Sequence, residues 1–569
     1  MPQKRLDLVF LWHMHQPDYR DHATGEHMLP WVYLHAIKDY TDMADHLERH
    51  PGVRAVVNFV PVLLDQIEDY CHQADTGDYR EPLLRLLGAP DLNHLAPAER
   101  RLLLDACFRS NHHTMLMPFP RYQRLLDLYQ RLATEGDIAL GYLSGEYFAD
   151  LVTWYHLAWT GETERRRQPL IAELMSRGEG YSHDDRLALL KLLSDIMHSL
   201  VPRYRALQER GQIELSATPA THPLAPLLVD FKCARESLPD APLPAASVYP
   251  GGRQRVSVHI EAAQASHVRR FGAPTRGMWP AEGAISAAVV QQFATHGCTW
   301  LASGEGVLKN SLARHGADAQ RASYRPWTLT GAPGLTLFFR DEHLSDLIGF
   351  EYARWHGRDA ALHFVNKLQA ILDAAPAGET PVVSVILDGE NAWEHYPYNG
   401  YFFFEDLYGL LEKHPRIRTT TYAEILARPA AGRPAARPLP GLVAGSWVYG
   451  TLSTWIGDSE KNLAWDLLCA AKQSYDMVAT SGRLSPEESA RAERQLAICE
   501  SSDWFWWFGD YNPSAAVASF DRLYRRNLAN LYRLLKLTPP AQIDIPISKG
   551  SSTATEDGTM RRAQEQQRT

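Results

Sequence analysis

Apolar residues gather along the chain in seven short runs that end abruptly in polar or small residues, at 8–12, 53–60, 213–217, 277–279, 299–303, 335–339 and 382–387. Runs of that length, bounded by breaks, read as buried strands. Between most of them the apolar positions recur every three or four residues, as in 122–132 and 186–207, which predicts helices. Strand alternating with helix predicts a parallel α/β arrangement.

The placement of chemically able residues favours a closed barrel. His13 follows the first run, Thr218 and His222 the third, Glu282 the fourth, Glu305 the fifth, Arg340 and Asp341 the sixth, and Asp388 the seventh. An α/β barrel builds its active site from loops at the carboxyl ends of several strands, which is this pattern. An open doubly wound sheet is the alternative. Residues 61–211 are too long for a simple crossover and predict a largely helical insertion over the barrel mouth, within a catalytic domain spanning 1–426. The stretch ARPAAGRPAARPLP at 427–440 has no apolar periodicity and reads as a linker. Helical periodicity returns at 461–478, 486–500 and 514–537, predicting a C-terminal helical bundle over 441–545, and the polar residues 546–569 read as a disordered tail.

Composition narrows the function classes. A net charge of −9 gives no reason to expect a polyanion, so nucleic acid and anionic membrane are poor partners and a neutral ligand fits better. Fifteen Trp and 25 Tyr exceed ordinary packing needs, and flat rings stack on the apolar faces of sugars; large core side chains are the other reading. The six cysteines lack metal-finger or disulfide-framework spacing and read as reduced, buried thiols. No run approaches the roughly 20 apolar residues of a membrane span, and no early stretch resembles a secretory signal, so the expected location is the cytoplasm.

Two segments carry the chemistry. VVSVILDGENAW at 382–393 reads as a buried strand delivering Asp388 to its carboxyl end, with Gly389 allowing a sharp turn beneath it; a metal-binding or helix-capping Asp is the alternative. GMWPAEGAIS at 277–286 places Glu282 among small residues beside Trp279, either exposed in a cleft or capping the following helix. A glycosidase needs two carboxylates flanking one bond, and these two strand ends supply them. His13 and His15, two apart just past a strand, point to one side; H-x-H also occurs at metal sites, but sugar hydrogen bonding is the preferred reading. His222 sits in a loop and is a contact candidate, whereas Glu214 reads equally as a buried structural carboxylate and Asp346 as binding or structural. The aromatic segment SSDWFWWFGDYN at 501–512 is expected to reach back to the barrel mouth as a sugar platform, with interdomain packing as the alternative.

LWHMHQPDYR, GQIELSATPATHPLAPLL, GMWPAEGAIS and LDGENAWEHYPYNG, in this order over about 400 residues, resemble four of the five signature regions of glycoside hydrolase family 57. The resemblance implies a (β/α)7 barrel and a retaining mechanism on α-glucans such as starch, glycogen or maltooligosaccharides. Glu282 matches the family nucleophile and Asp388 its proton donor. His13 and His15 match imidazoles lining the sugar subsite beside the cleaved bond, and Trp279 and Glu390 match sugar contacts. Trp393, in the same segment as Asp388, is a further candidate. GSWVYGTLSTWIGDSEKNLAW at 445–465 resembles the fifth region, with Trp455 as its expected sugar-contacting ring. The motifs look closer to the amylase and amylopullulanase type than to branching enzymes; a 4-α-glucanotransferase is the runner-up, and a metal-dependent carbohydrate enzyme such as an α-mannosidase the distant alternative. No cofactor or metal is expected, and the sequence leaves the oligomeric state open.

Overall fold

The structure is a computed structural model describing residues 4–551. Ten strands follow one another: β1 (Leu6–Met14), β2 (Ala55–Phe59), β3 (Ile213–Ala217), β4 (Gly277–Met278), β5 (Trp300–Ser303), β6 (Trp327–Leu329), β7 (Thr336–Phe339), β8 (Val382–Asp388), β9 (Ile417–Thr419) and β10 (Arg437–Leu439). They form one sheet in the order β10-β6-β7-β5-β4-β3-β2-β1-β8, with β9 pairing the start of β1. The path from β8 through β1 to β5 and β7 is parallel throughout. Just past β7, Arg340 bridges Ser384 of β8, and the Asp341 backbone N–H donates to the Ser384 carbonyl at 2.7 Å. That contact brings the far strand back to the first, so seven parallel strands curl into a (β/α)7 barrel and the open-sheet alternative falls. Each of the seven expected apolar runs is one of these strands.

Both faces of β1 are buried, which explains its near-continuous apolar sequence. Side chains alternate across the strand. Val9 and Leu11 point into the barrel with Val56, Trp300, Phe338 and Ile386, while Leu8, Phe10, Trp12 and Met14 face outward into the larger core under the helices. The barrel floor is closed by Tyr422 and Ile425 of the helix Tyr422–Ala427. Glu214 anchors that floor, accepting from Trp300 Nε1 at 2.7 Å and from the Ala423 N–H at 2.9 Å, so of its two readings the structural one holds.

Residues 61–211 are helical, from Pro61–Thr76 to the long His183–Glu209. Within 427–440, expected as a linker, Arg437–Leu439 forms β10 and pairs in parallel with β6. Three-residue strands such as β6, β9 and β10 carry too little alternation to be read from sequence. Beyond β10 the helices Ser459–Ala479, Pro486–Cys499 and Ser514–Leu534 pack together. The first residues of the expected tail pack too: Ile547 and Ser548 are buried, and the Ile547 N–H donates to Asp521 at 2.7 Å. Residues 552–569 lie outside the described residues.

Glu500, fully buried at the end of Pro486–Cys499, fastens this helical region to the barrel. Arg255 Nε and His259 Nε2, both on the barrel-side helix Gly252–Phe271, lie 2.8 and 2.7 Å from its carboxylate, and the Tyr249 hydroxyl donates to it at 2.6 Å. Among the described residues no helix is long and apolar enough to cross a membrane, and all six cysteines are free thiols.

Candidate active site

At the carboxyl ends of the barrel strands opens a cavity. Its wall includes His13 and His15 from the end of β1, His222 after β3, Glu282 after β4, Arg340 after β7, and Asp388 and Glu390 from the end of β8. The C-terminal region adds Trp447, Asp503, Trp506 and Trp507.

Glu282 sits in the short turn Ala281–Gly283 with φ 60°, and His222 has φ 62°. A left-handed backbone at a residue other than glycine costs about 1 kcal/mol or more and persists only where the surroundings impose it. Here the surroundings grip both oxygens of Glu282. Trp447 Nε1 donates to Oε2 at 3.0 Å, and Ser502 Oγ lies 3.3 Å from Oε1. Ser502 Oγ also lies 2.9 Å from His222 Nδ1. One hydroxyl proton serves one of these acceptors at a time, so Trp447 is the standing donor to Glu282.

Asp388 ends β8, where its Oδ2 accepts from Asn391 Nδ2 at 2.9 Å. Gly389 does not need a glycine-only backbone, as it is absent from the positive-φ positions. What it needs is closeness: its N–H donates to the His13 carbonyl at 2.7 Å, and a Cβ there would collide with the sulfur of Met14. Burial raises every carboxyl in the cavity. Glu282 is pushed up to about 8 by burial and by the nearby Asp503 and Asp388, against the pull of Trp447. Asp388 rises to about 6 through burial, moderated by the Asn391 hydrogen bond and by Arg340. Glu390 is driven well above the usual carboxylate range, first by burial and then by Asp388. It is a neutral acid in contact with Gln16 Nε2 at 3.3 Å. Arg340 is held by the Ile386 carbonyl (2.8 Å) and by Asp346 (3.0 Å), which gives Asp346 a positioning role.

The three histidines form one stack. The rings of His15 and His222 lie 3.8 Å apart, and those of His13 and His222 5.2 Å apart. Burial lowers His13 and His15 to about 3 and His222 well below its ordinary value, so all are neutral. Neutral rings fix the tautomers. His13 Nδ1–H donates to Asn58 Oδ1 (2.7 Å), its Nε2 accepts from His222 Nε2–H (3.2 Å), and His15 Nε2–H donates to both oxygens of Asp503 (3.0 Å each).

His15, His222 and Asp503 each offer a ligand atom within 4.8 Å of the others, which bears on a metal. Imidazole lone pairs lie in the ring plane and must converge on the ion at about 2.0–2.1 Å. The two rings are stacked at 3.8 Å with only 21° between their planes, so no ion satisfies both unless one ring turns. As folded, the cluster is a polar wall and not a preformed ion cage.

Of the expected site residues, Glu282, Asp388, His13, His15, His222 and Glu390 meet in the cavity. Three expected tryptophans do not line it. Trp279 is fully buried and packs edge-on behind Trp447, ring centroids 5.2 Å apart. Trp393 packs on Trp12 and Phe404 while its Nε1 donates to the Gly389 carbonyl at 2.7 Å, supporting the turn after Asp388. Trp455 lies in the helical core under Trp506, and its carbonyl accepts from Trp465; the ring of this segment that reaches the cavity is Trp447. The antiparallel bridge between Gly445 and Ile285 draws that segment alongside Glu282, a pairing invisible to a motif register. The aromatic segment does reach the mouth, with Trp506 and Trp507 in the wall and Trp504 buried. Asp503, not singled out from sequence, is carried there too; its only signal is its place directly before the aromatic run.

The sequence and the fold both resemble known enzymes. Residues 9–433 match the model of glycosyl hydrolase family 57. A family 57 branching enzyme from Thermococcus kodakaraensis superposes with a TM-score of 0.57 at 17% identity, over 94% of this chain and 90% of that one. The α-amylase AmyC from Thermotoga maritima gives 0.56 at 14% identity over 94% and 93%. A 4-α-glucanotransferase from Thermococcus litoralis gives 0.51 at 15% identity over 93% of this chain and 60% of that one. The chain, matched over most of its length and carrying two buried carboxyls at the ends of β4 and β8 of a seven-stranded barrel, belongs to glycosyl hydrolase family 57.

Proposed function

We propose that this chain cleaves α-1,4 bonds in α-glucans by double displacement, with Glu282 as nucleophile and Asp388 as general acid/base. The observation that carries the reading is the meeting of these two buried carboxyls in one aromatic-walled cavity. In the first step a Glu282 oxygen bonds to the anomeric carbon, the glycosidic C–O bond breaks, and the Asp388 proton passes to the departing oxygen. In the second, Asp388 takes a proton from the acceptor hydroxyl as that oxygen attacks the anomeric carbon and the Glu282 ester bond breaks. His15, whose Nδ1 has no partner, and Glu390, whose Oε2 has none, are read as hydrogen-bond partners of sugar hydroxyls; His13, with both nitrogens engaged, would join them only by releasing His222, and Trp447 and Trp506 are read as faces for sugar rings. The substrates that fit are starch, glycogen or maltooligosaccharides, with the cytoplasm as the setting and amylase or amylopullulanase as the activity.

A second reading is transfer to a sugar acceptor. Trp507 and Phe520, which stack 4.3 Å apart at the cavity edge, are read as a platform for an acceptor sugar that would compete with water for the glycosyl-enzyme. The structural relatives named above include a branching enzyme and a glucanotransferase as well as an amylase. Product analysis on maltoheptaose, amylose and pullulan tests both readings. Hydrolysis yields only shorter products and new reducing ends, while transfer also yields longer or branched chains at constant reducing value. No turnover of any of the three would sink the α-glucan assignment.

A further inference from the structure

A second cavity lies where the barrel's first loop meets the helices Pro486–Cys499 and Ser514–Leu534. Arg491, Arg494 and Arg533 line it, together with His22 and Asn530, and no carboxylate does. This is unexpected on a chain of net charge −9. Most of the nearby acids have other partners, although the Glu488 carboxylate also interacts electrostatically with Arg491. Asp21 accepts from Arg526 (2.6 Å) and Asn530 (2.8 Å), Glu493 from Arg255 (3.1 Å), and Glu488 from Lys536 (3.0 Å). Among the described residues Arg491 and Arg494 make no hydrogen bond or ion pair, and Arg533 makes one hydrogen bond, to Asn530 Oδ1 at 3.0 Å.

Three exposed guanidinium groups surround one concavity, and a bound anion would relieve their mutual repulsion. All three are arginine, whose planar fork matches phosphate oxygens in pairs, whereas lysine offers only a point charge. The cavity's size suits a small molecule, and Ile498 and Leu534 give it an apolar side suited to a sugar ring. We propose that this cavity is a binding site for a small phosphorylated sugar, separate from the catalytic cavity.

The position also gives occupancy a route to the catalytic cavity. Gln16, Pro17 and Tyr19 line the catalytic cavity, and His22 and Ala23 line the arginine cavity, all on one loop. Asp18 stitches the loop together, accepting from Arg20 (2.8 Å) and from His22 Nε2 (2.9 Å). A phosphate drawing His22 toward itself competes with Asp18 for that donor and loosens the segment carrying Gln16 and Tyr19.

Calorimetric titration of the full chain with glucose 6-phosphate, inorganic phosphate and glucose tests the site. Glucose 6-phosphate is expected to bind once per chain, more tightly than inorganic phosphate, with glucose silent. Arg494→Ala and Arg491→Ala should each weaken binding at least tenfold, and Glu282→Gln should leave it unchanged. Binding lost in Glu282→Gln but kept in the arginine variants would place the ligand in the catalytic cavity and overturn the proposal. So would equal affinity for inorganic phosphate, or no heat at millimolar glucose 6-phosphate. These outcomes are independent of whether α-glucan is the substrate.

Discussion

The indole Nε1 of Trp447 lies 3.0 Å from Oε2 of Glu282, so a residue beyond the barrel supplies the one standing hydrogen bond to a carboxyl at the end of β4. That bond favours the ionised form of Glu282, which burial opposes. Trp447→Phe keeps the ring and removes the donor. It is expected to lower kcat/KM by about tenfold to a hundredfold and to move the alkaline limb of the pH profile upward. An unchanged profile would show that the indole acts only as a wall.

The two carboxyls also set the shape of that profile. With Glu282 up to about 8 and Asp388 up to about 6, the singly protonated pair prevails between those values, and the enzyme needs one proton between the two groups. A bell-shaped kcat/KM with limbs near 6 and 8 is therefore expected. The higher of the two belongs to Glu282, so the resting proton favours Glu282, whereas double displacement requires it on Asp388. Positive charge developing on the sugar beside Glu282 favours the productive form as the bond breaks. Measuring the profile on Asp388→Asn with an activated substrate checks the assignment, because the falling alkaline limb should vanish and a single limb remain on which activity rises with pH as Glu282 ionises, displaced below 8 because the Asp388 charge no longer raises it.

Single substitutions separate the two roles. Glu282→Ala is expected to cost several orders of magnitude, with partial recovery and inverted stereochemistry when azide is supplied with an α-glycosyl fluoride. Asp388→Ala should still form the glycosyl-enzyme from substrates with good leaving groups and then accumulate it. Peptide mass spectrometry should find the sugar on Glu282; a label on Asp388, Glu390 or Asp503 would reassign the nucleophile.

The left-handed backbone of Glu282 makes a separate claim about stability. Glycine adopts φ 60° without strain. Glu282→Gly should therefore be more stable than Glu282→Ala by about 1 kcal/mol, although both are inactive. Equal denaturation midpoints would mean the loop relaxes.

Glu500 governs acid stability. Burial alone would raise it, but Arg255 and His259 hold its carboxyl down to about 2 from an ordinary 4.5. A group lowered by folding stabilises the protein above its unfolded value and loses that contribution as pH falls from about 4.5 toward 2. Glu500→Gln is expected to destabilise by on the order of 3 kcal/mol at pH 7, with the deficit shrinking below pH 4 in parallel urea melts. A deficit independent of pH would contradict the linkage.

For the histidine stack, prolonged dialysis against EDTA should leave activity within about twofold, and elemental analysis should find no stoichiometric zinc. Activity lost with chelation and restored by zinc would overturn the tautomer assignment and favour a metal-dependent carbohydrate enzyme.

The barrel was legible because its strands are buried on both faces and write themselves as unbroken apolar runs, as in residues 8–12 and 382–387. Glu282 and Asp388 were legible because each follows such a run. The tryptophans were not, since size and apolarity suit a wall and a core equally. Trp279 and Trp393 stand one layer behind the cavity, and choosing Trp447 over Trp455 required the Gly445–Ile285 pairing. Asp503 was hidden for a related reason: it meets His15 across 488 residues of chain, and no local pattern records a partner so distant.

The region shared with the family model ends at residue 433, whereas Trp447, Ser502, Asp503, Trp506 and Trp507 all lie later in the chain. Glu282 and Asp388 and the far wall of the cleft are thus written in separate stretches of sequence. A swap of the segment after 433 between relatives would keep the chemistry while exchanging the surface that meets the incoming hydroxyl. Chimeras cut at that boundary would test whether the choice between water and a second sugar travels with the graft.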